Sequence, residues 1–168
     1  QQRLTAGEKG KLNFNARYLF DAPAANLPYE VMLSLLPRDY THPKWEAFVF
    51  GDPQLKIENE STLIASGALS DQGKGETDIK TKNWRPPSML DLQLRIGVME
   101  DGGRWVYKTH VIPYYPTATM VGIESPSRTP SIGQKTPFRV VTVNPDGSPS
   151  KGAKLHAVLS KIIYRTLL

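Results

Sequence analysis

From residue 12 onward, Leu12, Phe14, Ala16, Tyr18 and Phe20 alternate with Asn13, Asn15 and Arg17, following Lys11. A period of two buries one face of a β-strand, and Asp21-Ala22-Pro23 supplies its stop. The run Tyr29-Glu30-Val31-Met32-Leu33-Ser34-Leu35-Leu36 predicts a second strand closed by Pro37, followed over 37–51 by a loop carrying Trp45, Phe48 and Phe50 into a short strand. Residues 63–69 and 76–81 flank Asp71-Gln72-Gly73-Lys74-Gly75, a glycine-rich turn that predicts a hairpin. The alternation is clearest at Leu90, Leu92, Leu94, Ile96 and Val98, with Asp91, Gln93 and Arg95 on the other face. Asp101-Gly102-Gly103 then turns the chain into a run over 105–112, a second predicted hairpin. Pro113 and Pro116 are expected to close this unit. Further strands are expected at 118–125, 138–143 and 155–164, the last two joined by Asn144-Pro145-Asp146-Gly147. No helical period lasts beyond about two turns, and turn signals recur every 8 to 12 residues or so, which predicts an all-β, immunoglobulin-like antiparallel β-sandwich.

An internal repeat sets the domain organisation. An ungapped offset of 126 residues aligns Gly7 with Gly133, Lys9 with Lys135, Leu12 with Phe138, Phe14 with Val140, Pro23 with Pro149, Leu33 with Leu159 and Ser34 with Ser160. Residues 1–116 are therefore read as one sandwich module and 117–168 as the N-terminal part of a second. The strand expected at 118–125 precedes the shared block in the second module, so the first is expected to lack its opening strand. A complete sandwich of this type needs about 100 residues, and the chain is accordingly expected to be a piece of a longer tandem array.

Charge changes this picture little. The chain of 168 residues carries a formal charge of +5, but residues 1–116 are balanced. The excess comes from Arg128, Lys135, Arg139, Lys151, Lys154, Lys161 and Arg165 set against Glu124 and Asp146. These cations stand singly with few aromatics between them, so no nucleic-acid partner is expected. No run approaches the roughly 20 apolar residues of a membrane span, and the start QQRLTAGEKG lacks the apolar core of a signal peptide. No direct membrane insertion is expected, and any export signal is expected to have been removed. The chain has no cysteine, which excludes disulfides, thiolate metal sites and a cysteine nucleophile within it.

Candidate chemistry is sparse. His42, His110 and His156 are the only histidines; they lack the spacing of a metal motif and read as ordinary strand or loop residues. Gly73-Lys74-Gly75 and Gly102-Gly103 have no helix behind them and read as turns, not phosphate cradles. Asp71, Glu76, Asp78, Glu100 and Asp101 flank those turns and could gather calcium, although solvated turn carboxylates are the simpler reading. Trp45, Trp84, Trp105, Tyr114 and Tyr115 could form a sugar-binding platform. The preferred reading packs Trp105 in its hairpin and places Trp84 with Tyr114 and Tyr115 at the junction between modules, the linker over 113–118 fixing their angle. No catalytic, cofactor-binding or metal-ligating residue is assigned, no cofactor is expected, and the chain is read as a non-enzyme.

Several blocks then bear a resemblance. Ala16-Arg17-Tyr18-Leu19-Phe20-Asp21-Ala22-Pro23-Ala24-Ala25-Asn26-Leu27 resembles a signature of macroglobulin-like modules in bacterial alpha-2-macroglobulins, with Asp21 where glycine is commoner. Phe48-Val49-Phe50-Gly51-Asp52, Leu69-Ser70-Asp71-Gln72-Gly73, Val98 through Arg104, Pro113-Tyr114-Tyr115-Pro116 and Val143-Asn144-Pro145-Asp146-Gly147 follow in the family's order. The resemblance implies a scaffold segment of a large periplasmic protease trap, tethered to the inner membrane as a lipoprotein. In such a trap, cleavage of a bait segment rearranges the modules and, in many members, a thioester captures the protease. A chain without cysteine cannot hold that thioester. Implied partners are the other modules of the same parent chain, target proteases through the intact parent only, and a cell-envelope protein. The alternative reading is an immunoglobulin-like adhesin or carbohydrate-binding module.

Overall fold

The structure, a computed structural model, describes residues 3–52, 55–57, 59–81, 84, 86, 88–124, 133, 135–160 and 163. Among these there are ten strands, one 3-10 turn and no α-helix: β1 (Leu4–Thr5), β2 (Lys9–Asn15), β3 (Pro28–Arg38), the 3-10 turn (Pro43–Trp45), β4 (Val49–Phe50), β5 (Thr62–Ala68), β6 (Lys74–Lys80), β7 (Met89–Met99), β8 (Trp105–Tyr115), β9 (Met120–Glu124) and β10 (Arg139–Val143). They form a five-stranded sheet in the order β1-β8-β7-β3-β5, a two-stranded sheet β2-β6 and a three-stranded sheet β10-β9-β4. All pairings are antiparallel except β1 on β8.

The first two sheets make the sandwich. Leu12 of β2 and Ile79 of β6 meet Val31, Leu33, Leu90, Leu92, Leu94, Ile112 and Tyr114 in one core, sealed at the end by Leu4. Each fully buried aliphatic side chain contributes about 1.5–3 kcal/mol, so the alternation of β7 does most to choose its inner face. The predicted hairpin of β7 and β8 is present in continuous register from Leu90 opposite Tyr114 to Met99 opposite Trp105.

Several boundaries differ from expectation. Neither Pro37 nor Pro113 ends its strand: Pro37 pairs with Leu90 and Pro113 with Asp91. Pro37 lies beyond Leu33, the last residue that β5 covers, and Pro113 just before the two residues of β8 that β1 covers. A missing N–H is tolerated where an edge is open. The first strand stops at Asn15 rather than at Phe20, because an Arg17–Pro23 bridge closes a tight turn and leaves Phe20 exposed.

The expected hairpin over 63–81 has its turn but not its pairing. Gly73 N–H donates to Ser70 O, and Ser70 Oγ accepts from the amides of Gln72 and Lys74. Yet β5 pairs with β3 while β6 pairs with β2. Gly73, at φ 71°, packs so tightly on the end of β2 that a Cβ would lie 2.5 Å from Ala16 O. That seat sends β6 along β2 and across to the other sheet.

The strand expected at 155–164 is absent over 155–160, all exposed and unpaired; residues 161, 162 and 164 lie outside the described residues. Its counterpart in the repeat, β3, is flanked by β5 and β7. Among the described residues nothing offers 155–160 such neighbours, and a strand without a pairing partner does not hold.

The 126-residue offset extends to the hydrogen bonds. Tyr18 N–H donates to Ala22 O, Asp21 N–H to Tyr18 O and Ala24 N–H to Ala16 O; Asn144 to Ser148, Gly147 to Asn144 and Ser150 to Thr142 repeat them. The bridges Arg17–Pro23 and Val143–Pro149 match as well. Gly7 and Gly133 share a left-handed φ of 83° and 79°.

Candidate functional site: an aromatic junction between the repeats

The chain's second core lies where the two repeats meet. The segment between β3 and β5 leaves the sandwich and carries Tyr40, His42, Trp45, Phe48 and Phe50 outward. His42 caps the 3-10 turn, its Nδ1 accepting from Lys44 N–H at 3.2 Å, and Pro43 presets the turn's first step. The turn aims Trp45 at the second repeat. There the Trp45 indole N–H donates to Gly147 O at 2.8 Å and the Tyr40 hydroxyl to Asn144 O at 3.4 Å.

β4 then pairs with β9, Val49 opposite Ile123 and Phe50 opposite Gly122. A strand of the first repeat is thereby added to the sheet of the second. Tyr40, Phe50, Met89, Met120 and Val143 are buried together, with Trp45, Phe48, Tyr115 and Val141 packed around them. Tyr40 meets Phe50 edge-on at 4.8 Å and Trp45 meets Phe48 edge-on at 5.7 Å. Two glycines make the approach possible. A Cβ on Gly122 would lie 2.6 Å from the Phe50 ring, and one on Gly147 would overlap the His42 imidazole.

Burial raises the Tyr40 phenol above its ordinary range, with Tyr115 and Asp146 adding to the effect. Asp146, in the seated turn, is held below the ordinary carboxylate value by hydrogen bonds from the Ser148 hydroxyl and amide, at 2.6 and 3.0 Å. At the rim, Arg139 pairs with Glu124 and lies over the Phe48 ring, 5.6 Å from its centroid. The opposite face of the three-stranded sheet is a row of exposed apolar side chains, Val49, Ile123 and Val140 side by side, with Phe138 beyond.

The candidate aromatics part company. Trp105 stacks on Tyr107 within its hairpin as expected. Trp84 packs edge-on against buried Tyr114 at 5.2 Å, in the first core, while lining a cleft with Phe50, Pro116 and Met120. Tyr115 reaches the junction, and so does Trp45, which the preferred reading of the sequence had not placed there. The 113–118 linker does not by itself fix the angle: Pro113 belongs to β8, and the pairing of β4 with β9 supplies the second tie. The Asn144-Pro145-Asp146-Gly147 turn was legible in the sequence, but the need for its glycine beside His42 is set by a neighbour about 100 residues away.

The titratable candidates are dispersed. His42 caps the 3-10 turn, His110 lies exposed on β8 and His156 in the exposed stretch after the last turn. Glu76 pairs with Lys11 at 2.9 Å, Glu100 with Arg104 at 2.8 Å, and Asp101 accepts from the Tyr18 hydroxyl at 3.5 Å. Among the described residues no three His, Asp or Glu side chains gather as a metal site.

A five-stranded sheet facing β2 and β6 defines a macroglobulin-like module, to which the second repeat, begun in the same manner, is joined edge to edge. The family profile of the bacterial alpha-2-macroglobulin MG5 domain matches residues 1–116. The chain belongs to the bacterial alpha-2-macroglobulin family. Among solved structures it is similar to native Escherichia coli alpha-2-macroglobulin (22% identity, TM-score 0.62, 88% of this chain and 10% of that one). It is similar also to the E. coli protein activated by porcine elastase (26%, 0.61, 87% and 13%) and to Salmonella alpha-2-macroglobulin reacted with methylamine (23%, 0.61, 89% and 11%). The chain thus spans about a tenth of the length of these relatives. Comparison with curated proteins by sequence gives no match.

Proposed function

We propose that this chain is a scaffold segment of a bacterial alpha-2-macroglobulin-type protease trap, a non-enzymatic part that holds two consecutive modules at a fixed angle. The observation that carries this reading is the addition of β4 from the first repeat to the sheet of the second, over a shared aromatic core. Such a tie transmits a displacement of one module to the next, as a trap that rearranges after cleavage requires. On this reading the parent acts in the periplasm as an inner-membrane lipoprotein, and proteases and any cell-envelope partner meet the intact parent.

The test is made in the intact parent protein. Gly147→Val forces a side chain against His42 and is expected to lower the fraction of trypsin retained in complex, while the isolated 168-residue chain leaves proteolysis of large substrates unchanged. Trapping unaffected by Gly147→Val, or inhibition by the isolated chain, would show that the scaffold reading is wrong.

A further inference from the structure

The dipeptide Asp-Gly occurs twice, at Asp101-Gly102 and at Asp146-Gly147. In such a pair the glycine nitrogen can attack the aspartate Cγ, because no Cβ hinders the approach and the peptide turns freely. The carboxyl takes up a proton, the nitrogen gives up its own, and one water leaves as the new N–Cγ bond closes a five-membered imide. Water then adds back to either carbonyl. Opening at Cγ returns aspartate. Opening at the main-chain carbonyl breaks its bond to nitrogen and leaves the backbone running through Cβ and Cγ, an isoaspartate of unchanged mass. The conversion therefore needs an unbonded amide, room around it, and a carboxyl able to turn and to take a proton.

The two dipeptides differ on each count. Asp101 and Gly102 are both exposed. Their turn is closed by its neighbours, Gly103 N–H donating to Glu100 O at 2.8 Å and Glu100 N–H to Arg104 O at 2.9 Å, while Gly102 N–H has no acceptor among the described residues. Even a Cβ placed on Gly102 would meet nothing within 4 Å, and the Asp101 carboxylate has one long bond, from the Tyr18 hydroxyl at 3.5 Å. Gly147 is buried, its N–H donates to Asn144 O at 2.9 Å, and the His42 imidazole lies against it. The Asp146 carboxylate is tied down by the Ser148 hydroxyl and amide, which also keep it ionised.

We propose that Asp101 is a site of spontaneous covalent modification, passing through a cyclic imide to isoaspartate, and that seating of the 144–148 turn against His42 shields the same dipeptide at Asp146. The extra main-chain methylene falls in the loop of Asp101, Gly102 and Gly103 and carries the carboxylate away from Tyr18. That loop lies at the Met99–Trp105 end of the β7–β8 hairpin, whereas Met89, at the other end of β7, belongs to the junction. The modification thus loosens the Tyr18–Phe20 tip and leaves the junction in place. The proposal rests on the geometry of the two turns and is independent of the protease-trap reading.

The test ages the folded 168-residue chain in warm buffer, digests it with trypsin and compares the peptides 96–104 and 140–151. Chromatography and electron-transfer fragmentation separate the aspartyl and isoaspartyl forms and the imide, which is lighter by one water. Isoaspartate is expected to accumulate in 96–104 about tenfold faster than in 140–151, the difference being the protection of a seated turn over an open one. In the denatured chain the two rates are expected to converge. Gly102→Ala, which meets no neighbour, is expected to slow the reaction at Asp101. Phe50→Ala, which loosens the junction, is expected to speed it at Asp146 and to leave Asp101 as it was. Equal rates in the folded chain, faster reaction at Asp146, or no isoaspartate at Asp101 over a period that yields it in the denatured chain would each overturn the proposal. So would a rate at Asp101 that Gly102→Ala does not change, or one at Asp146 that neither Phe50→Ala nor denaturation raises.

Discussion

Asp21 and Gly147 take the same step of the same turn, with φ of 67° and 80°. That step is costly for any residue with a Cβ and least so for aspartate and asparagine among them. Asp21 is exposed and tolerates it, whereas Gly147 also faces the His42 ring and has no room for a side chain. One backbone demand thus meets two packing demands, and only the second excludes everything but glycine. The neighbouring Asp146 makes the turn sensitive to acid. Its folded pKa is depressed by the Ser148 hydrogen bonds, so its contribution to stability is present in full above the ordinary aspartate value and is lost as pH falls through the lower folded value. Acid titration followed by the Trp45 fluorescence is expected to show the junction loosening in that window. Asp146→Asn is expected to remove that step while leaving the fluorescence at neutral pH in place.

Among the elements, β4 is only two residues long, as is β1, and has the larger consequence. Two residues cannot hold by their own hydrogen bonds, so Phe50, buried among Tyr40, Met89 and Met120 over Gly122, anchors the pairing. Phe50→Ala is expected to cost about 3–5 kcal/mol, read as a shift in the denaturant midpoint. Exchange should rise first at Val121 and Ile123, while β7 keeps its protection. The sequence displayed β7 and β2 plainly, because in each a buried face alternates with a less buried one, and β8 through the Asp101-Gly102-Gly103 turn that leads into it. It could not display where β6 goes, since the turn at Ser70 is the same whether the next strand returns along β5 or crosses to β2, and the contact of Gly73 with Ala16 that decides it is long-range. Nor could it reveal Pro37 and Pro113 inside strands, where tolerance depends on which edge a neighbour leaves open. The junction was half legible: Phe48 and Phe50 were expected near a short strand, but its partner lies some 70 residues on, and no local period records that.

For the whole molecule, two cores joined by a lent strand imply cooperativity. Leu92 stands fully buried in the first core and Val143 in the second. Leu92→Ala is expected to cost about 2–5 kcal/mol, and Val143→Ala to lower stability as well. Both are expected to move a single calorimetric transition, because Tyr40, Phe50 and Met89 reach from the sandwich into the second core. Two separated transitions, with Val143→Ala moving only the lower, would mean that the repeats melt independently. The pairing of β4 with β9 also bears on how the protein is made. A ribosome delivers the chain from its N-terminus at about 5–20 residues per second, so β4 emerges well before the strand and turn that seat it. Until residues near 147 have left the exit tunnel, Trp45, Phe48 and Phe50 are without their partners in the second repeat and open to chaperones. The first repeat of such a chain is finished only by the birth of the second, and a translational pause placed between them would prolong the interval in which that aromatic loop stays bare.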